Sequence, residues 1–177
     1  MDEFKNAILK SRQEMLTNWN RVLPTNELLS DRWEKASFLG FGEGSSVYDS
    51  CVVIGSVTVG KNVWIGPFTL LDGSGGLTIG DGCDISAGVQ IYSHDTVRRA
   101  VSRGVEDVDQ SPTEIGDFCH IGAGSIVLKG ISIGKHSVIG AGCVVTKSFP
   151  AYSIIVGIPG HVVGRVEVGE CVKLDFD

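Results

Sequence analysis

From Val59 onward the chain places an aliphatic residue at every sixth position, usually with glycine directly after it: Val59-Gly60, Ile65-Gly66, Ile79-Gly80, Ile115-Gly116, Ile121-Gly122, Ile133-Gly134 and Ile139-Gly140. A period of six is neither the 3.6 of a helix nor the plain alternation of a strand. It describes one short strand plus one tight turn per unit. Three units then close one turn of a triangular prism, with the aliphatic side chain pointing inward and the glycine letting the backbone take a corner. A single unit cannot bury its own face, so the pattern demands stacked coils.

The register runs unbroken from Ile115 through Ile121, Val127, Ile133 and Ile139 to Val145. An earlier run, Val59, Ile65 and Leu71, joins Ile79, Ile85 and Ile91 through an eight-residue step at Asp72-Gly-Ser-Gly-Gly76, whose glycines absorb two extra residues at a corner. The fifth position of each unit also faces inward, near the crowded axis, and carries mostly small residues, among them Thr69, Cys83, Cys119, Ser125, Ser137 and Cys143. That placement makes Cys83, Cys119 and Cys143 small core hydrophobes. No CxxC pair exists, and neither Cys51 nor Cys171 has a neighbour at ligand spacing, so no metal site is expected and a reducing compartment fits better than a disulfide framework.

No apolar run approaches the length of a membrane span and no signal peptide is evident, so a cytoplasmic location is expected. A formal charge of −6 argues against a general nucleic-acid surface, because that binding depends on Lys and Arg neutralising phosphates. It leaves room for a small anion bound locally.

Residues 1–40 have a different grammar. Phe4, Ile8, Met15 and Trp19 stand at helical spacing, Asp2 and Glu3 sit where a helix dipole favours acids, and Pro24 is expected to end that helix. A second helical patch is expected around Asn26 to Ala36. Together they predict a helical cap over the open end of a prism spanning 41–165, with terminal strands over 166–177.

The six-residue pattern breaks once at length, after Ile91-Tyr-Ser-His-Asp-Thr96, and resumes at Ile115. Residues 97–114 therefore form an excursion, and long loops on a rigid scaffold are where function concentrates. His94 stands at its base. Histidine, with an unperturbed pKa of about 6.5, can serve as base and acid near neutral pH.

The hexads, the excursion, the Tyr92-Ser-His-Asp95 segment and the ending Val144-Val-Thr-Lys-Ser-Phe-Pro, followed by Gly157-Ile-Pro-Gly160, resemble the hexapeptide-repeat acyltransferases. The likeness covers residues from about 50 to 165 and is nearest to sugar O-acetyltransferases of the maltose and galactoside acetyltransferase type and to relatives in polysaccharide biosynthesis. It implies an all-β fold, a left-handed parallel β-helix with an N-terminal helical cap and one excursion loop. It also implies a homotrimer with sites between subunits, acetyl-CoA as donor, a sugar-type acceptor and no metal. His94 would correspond to the general base. Ala123 and Ala141, one coil apart at equivalent positions, together with Thr146 and Lys147, would contact the cofactor. Asp72 and Asp95 are candidates for the acceptor side: Asp72 to bind a hydroxyl or orient the imidazole, Asp95 as a charge at a position that normally points inward.

Two rivals are weighed. A zinc carbonic-anhydrase-like site would need a paired His-x4-His, but the residue five after His120 is Ser125. A noncatalytic scaffold would bind no acyl-CoA and could continue its coils without the excursion.

Overall fold

The computed structural model describes residues 2–169 and 171–176. Three helices come first: α1 (Asp2–Trp19), α2 (Thr25–Leu29) and α3 (Arg32–Phe38). The prism follows, with β1 (Ser46–Val47), β2 (Val52–Val59), β3 (Trp64–Ile65), β4 (Leu70–Ile79), β5 (Asp84–Ile85) and β6 (Gln90–Ile91). The chain then leaves the coils through β7 (His94–Asp95), α4 (Val97–Val101) and β8 (Asp109–Gln110). It rejoins them at β9 (Thr113–Ile115) and continues through β10 (His120–Ile121), β11 (Ile126–Val127), β12 (Ser132–Ile133), β13 (Val138–Ile139) and β14 (Val144–Val145). Finally come β15 (Ser153–Val156), β16 (His161–Val168) and β17 (Val172–Phe176).

Each hexad leader stacks on its counterpart one coil away, all in parallel. On the first face Val47, Ile65, Ile85, Ile121, Ile139 and Ile155 are in register. On the second face the column is Val53, Leu71, Ile91, Val127 and Val145. The third face stacks Val59, Ile79, Ile115 and Ile133, with a last bridge from Ile133 to Phe149. Ile65, Ile85, Ile91, Ile121 and Ile139 are fully buried. At about 1.5–3 kcal/mol per fully buried aliphatic side chain, these columns are the main source of stability.

The fifth-position residues fill the space between columns. Ser125 and Ser137, both fully buried, donate to carbonyls of their own turns, Gly122 O and Gly134 O, each at 2.7 Å. Cys51, Cys83, Cys119 and Cys143 are buried free thiols, and burial pushes Cys51 and Cys143 above the ordinary thiol range. The corners need tight approach between coils: a Cβ added at Gly122 would lie 2.5 Å from the Ala141 amide nitrogen.

The helical segment differs from expectation in detail. α1 ends at Trp19, where Asn20 turns left-handed at φ 51°, and Pro24 stands at the start of α2 instead of closing α1. The expected single patch from Asn26 to Ala36 is two helices, because the Asp31 carboxylate accepts from Trp33 N and Glu34 N, both at 2.9 Å, and so starts α3 afresh. α3 covers the first coil. Ala36 is buried there, and Lys35 Nζ donates to Tyr48 O, Asp49 O and Cys51 O. Most of α1 stays exposed, with Ile8 its one buried residue. At the other end, β15, β16 and β17 run antiparallel to one another and extend the first face.

Candidate active site

All departures from the six-residue period in mid-chain fall at one corner, between the second and third faces. There β4 carries its two extra residues, and there the excursion departs and returns. The extra residues of β4 receive the excursion's root. Gly75 N donates to Ser93 Oγ at 2.8 Å, and a side chain at Gly75 would run into the Ser93 carbonyl and the Ser111 amide. Ser111 N in turn donates to Ser93 O at 2.9 Å.

Asp72, the first residue of that step, is 1% exposed and gathers the corner around its carboxylate. Oδ1 accepts from Ser74 Oγ at 2.6 Å and Ser74 N at 3.0 Å. Oδ2 accepts from Ser93 N at 3.0 Å and His94 N at 3.2 Å, and lies 2.5 Å from His94 Nδ1. Burial alone would raise the Asp72 carboxyl, but the donors from Ser74, Ser93 and His94 outweigh it and hold the group down to about 2. An ionised carboxylate on Nδ1 fixes the proton on that nitrogen. The other ring nitrogen, Nε2, then carries a free lone pair and has no protein partner among the described residues. The His94 side chain is 30% exposed, so the ring is not sealed into the prism.

Of the two roles expected for Asp72, the geometry therefore supports orientation of the imidazole: both its oxygens are occupied, and it presents no free edge to an acceptor. Asp95 does not point inward. It lies in β7, off the prism and partly exposed, where Oδ1 accepts from Val97 N at 3.0 Å and Oδ2 is 3.5 Å from Lys129 Nζ. The excursion leaves and returns a little earlier than the expected 97–114 loop and is more ordered. A two-residue antiparallel ladder pairs His94 with Gln110 and Asp95 with Asp109, α4 lies within it, and the coil resumes at Thr113 rather than Ile115.

Thr146 and Lys147 follow β14 as Tyr92 and Ser93 follow β6, so they share the corner of His94, two strands away, roughly 10 Å by strand spacing. Both are exposed, with Lys147 Nζ 5.6 Å from the Phe149 ring centroid. Ala123 and Ala141 stand elsewhere. They stack at the corner between the first and second faces, exposed, with Gly142 N donating to Ala123 O at 2.9 Å. A Cβ at the neighbouring Gly124 or Gly142 would meet nothing within 4 Å, which marks open space along that corner. Within one chain, the alanine corner and the His94 corner thus lie at opposite ends of the second face.

The remaining histidines sit apart. His120 faces out from the first face, His136 is stacked between Phe118 and Tyr152 at 5.0 and 5.1 Å, and His161 lies exposed beyond Pro159. Among the described residues no group of three or more His, Cys, Asp or Glu is placed to hold a metal ion. A concavity of about 700 Å³ lies among α1, α2 and α3, lined in part by Met15, Trp19 and Trp33, and includes none of these site residues.

Sequence reasoning missed Ser74, Ser93 and Lys129. Ser74 was hidden inside a glycine step that signalled only a corner. Lys129 carried a usable signal, a charge at the corner position directly above the excursion's root.

Comparison with known proteins agrees with the architecture. Residues 56–93 and 112–147 match the family described as the hexapeptide repeat of succinyl-transferase. A serine acetyltransferase of Staphylococcus aureus (strain Mu50) is 41% identical over 108 residues, 60% of this chain and 49% of that protein. One from Mycobacterium tuberculosis is 34% identical over 113 residues, 64% of this chain and 48% of its own. The chain spans about half the length of these curated relatives. Among solved structures, a maltose O-acetyltransferase from Clostridium difficile 630 is 28% identical with TM-score 0.64, covering 91% of this chain and 89% of that one. The N-acyltransferase AntD from Bacillus cereus, solved with dTDP and 3-hydroxybutyryl-CoA, shares the fold at 24% identity and TM-score 0.64, covering 71% of each chain. With its repeat, its stacked coils and these likenesses, the chain is a hexapeptide-repeat protein that is similar in sequence and fold to acyltransferases built on that repeat.

Proposed function

We propose that the protein transfers an acyl group, acetyl in the simplest case, from acyl-CoA to a hydroxyl of a sugar-type acceptor, with His94 as general base. The observation that carries this is the paired His94 and Asp72 at the corner where the coils are interrupted at length, with Nδ1 held by a buried carboxylate and Nε2 left without a protein partner among the described residues. Nε2 takes the proton from the acceptor oxygen as that oxygen attacks the thioester carbonyl. A carbon–oxygen bond forms, the carbon–sulfur bond breaks, and the imidazolium returns its proton to the departing thiolate. No acyl-enzyme is needed. General-base assistance of this kind contributes about 10²- to 10⁴-fold, and the rest comes from holding both substrates in reactive geometry.

The donor side is read from two places. Ala123 and Ala141 present small side chains and amides that no other described residue engages, beside the open space at Gly124 and Gly142, a shallow groove suited to the extended pantetheine arm. Thr146 and Lys147 lie at the His94 corner, where an exposed lysine can meet phosphate as a point charge. These two halves lie at opposite ends of the second face. Its outward row is Val52, Leu70, Gln90, Ile126 and Val144, apolar but for one residue and at least partly exposed. A homotrimer that covers this row against the next copy would bring one copy's alanine corner to its neighbour's His94, completing a site neither chain has alone. The maltose O-acetyltransferase likeness supports the sugar-type acceptor and the oxygen nucleophile. A cytoplasmic location is part of the same reading, and no helix among the described residues is long and apolar enough to cross a membrane.

The test is a screen of acyl-CoA donors against monosaccharides, nucleotide-linked amino sugars and serine, followed by free thiol release. Turnover with a sugar hydroxyl supports the reading. Turnover confined to an amine or to serine moves the acceptor class, and absence of both binding and turnover leaves a noncatalytic scaffold. CoA affinity of Lys147→Ala at low and high salt checks the donor side, with a salt-dependent loss expected and unchanged affinity counting against it.

A further inference from the structure

Lys129 has no part in the chemistry above, yet it sits over the root of the excursion. It stands in the turn after β11, one coil beyond β6, with its side chain 19% exposed. Nζ donates to Asp109 Oδ2 at 2.7 Å and lies 3.5 Å from Asp95 Oδ2. Those two aspartates are direct partners across the ladder of β7 and β8. Like charges placed directly opposite on neighbouring strands repel, so this ladder lacks a reason to close without a cation between them. An ammonium with three donors supplies it. The effect is visible at both ends: its hydrogen bond to Asp109 raises the lysine, and the same contact lowers Asp109.

The ladder matters because β7 begins with His94. On one side that strand is held by Asp72, through the amides of Ser93 and His94. On the other, Lys129 is the side chain of the prism that reaches it among the described residues, through Asp95 and Asp109. We propose that Lys129 is a positioning residue: by bridging Asp95 and Asp109 it closes the root of the excursion and fixes the strand that presents the His94 imidazole to Asp72. This rests on His94 being the working group of the proposed reaction, but the geometry and its test need no acyl transfer.

The charged groups around the pair are few. His94 faces Asp72 from β4 and neighbours Asp95 on its own strand. Asp109 feels Lys129 first and then Arg98 from α4, whose guanidinium also lies 3.8 Å from Glu106. Lys147, one coil further on, is turned over Phe149. Removing the Lys129 charge therefore leaves Asp95 and Asp109 opposed across the ladder without the cation that joins them.

Proton NMR of the whole protein without substrates tests this, the His94 ring signals being assigned by their loss in His94→Gln. In the wild type the Nδ1 proton bonded to Asp72 gives a protected, downfield signal. In Lys129→Met that signal broadens or disappears, and the Val97 amide held by Asp95 exchanges about tenfold faster. Lys129→Arg restores both. Should Lys129→Met not fold, Asp109→Asn keeps the lysine, removes its shorter contact and is expected to broaden the Nδ1 signal and speed Val97 exchange. A Lys129→Met protein whose Nδ1 signal and exchange both match the wild type overturns the proposal. The same outcome from a folded Asp109→Asn does so too. If these changes occur in a protein that transfers no acyl group, the positioning role stands and the enzymatic reading falls.

Discussion

Asp72 concentrates five hydrogen bonds on one buried carboxylate, and its ionisation is tied to the fold as firmly as to the imidazole it holds. Its folded value of about 2 lies below its ordinary 3.8. A depressed carboxyl contributes stability that is fully present above about pH 4 and is lost as pH falls through about 2, worth on the order of 2 kcal/mol. Asp72→Asn removes this titration. Unfolding free energies from urea should therefore show the wild type losing its advantage over Asp72→Asn between pH 4 and pH 2; a constant gap across that range would contradict it. The same variant frees the imidazole to adopt either tautomer, and turnover should fall at least tenfold with the fold intact. Both residues were legible in the sequence, and orienting the imidazole was one of two roles open there to Asp72. The choice between the two was not legible, because the glycines of the 72–76 step announce a corner without saying where its polar side chains turn.

At the scale of elements, the hexads and the excursion differ as signals. A strict six-residue period assigns each residue to a face and a depth, so the inward columns and the small fifth positions follow from the spacing alone. The excursion has no period. Its helix, its closing ladder and its return at Thr113 depend on contacts between Asp95, Asp109 and Lys129 that local pattern does not encode. The helical cap was legible as helices but not as three, since the restart at Asp31 rests on a side-chain cap. Two consequences follow from the elements. Ile121→Ala, in a fully buried column position, should cost about 2–5 kcal/mol in unfolding free energy, whereas Ser132→Ala on the exposed third face should change it by under about 0.5 kcal/mol. Gly75→Val should displace Ser93 and the root of the excursion, lowering turnover far more than it lowers CoA affinity; equal losses in both would contradict the placement of that glycine.

For the whole molecule, the second face decides whether a single chain is enough. Its two ends carry the two halves of the proposed site, and its outward row is the apolar one, while the third face shows Thr58, Thr78, Glu114 and Ser132 to solvent. Ile126→Asp should lower the oligomeric state seen by light scattering and abolish turnover together; a fully active monomer would refute the shared site. Mixing His94→Ala chains with Ala141→Trp chains, each inactive alone, should recover about a quarter of wild-type turnover after subunit exchange by random assortment. The most direct measurement is the pH dependence of thiol release from acetyl-CoA, with the best acceptor from the screen, for the wild type and His94→Ala. A working base predicts that wild-type turnover climbs with pH as the imidazole loses its proton, and that the variant is slower by about a hundredfold or more with that climb gone. A His94→Ala protein that keeps most of the wild-type rate and its pH dependence would contradict the account.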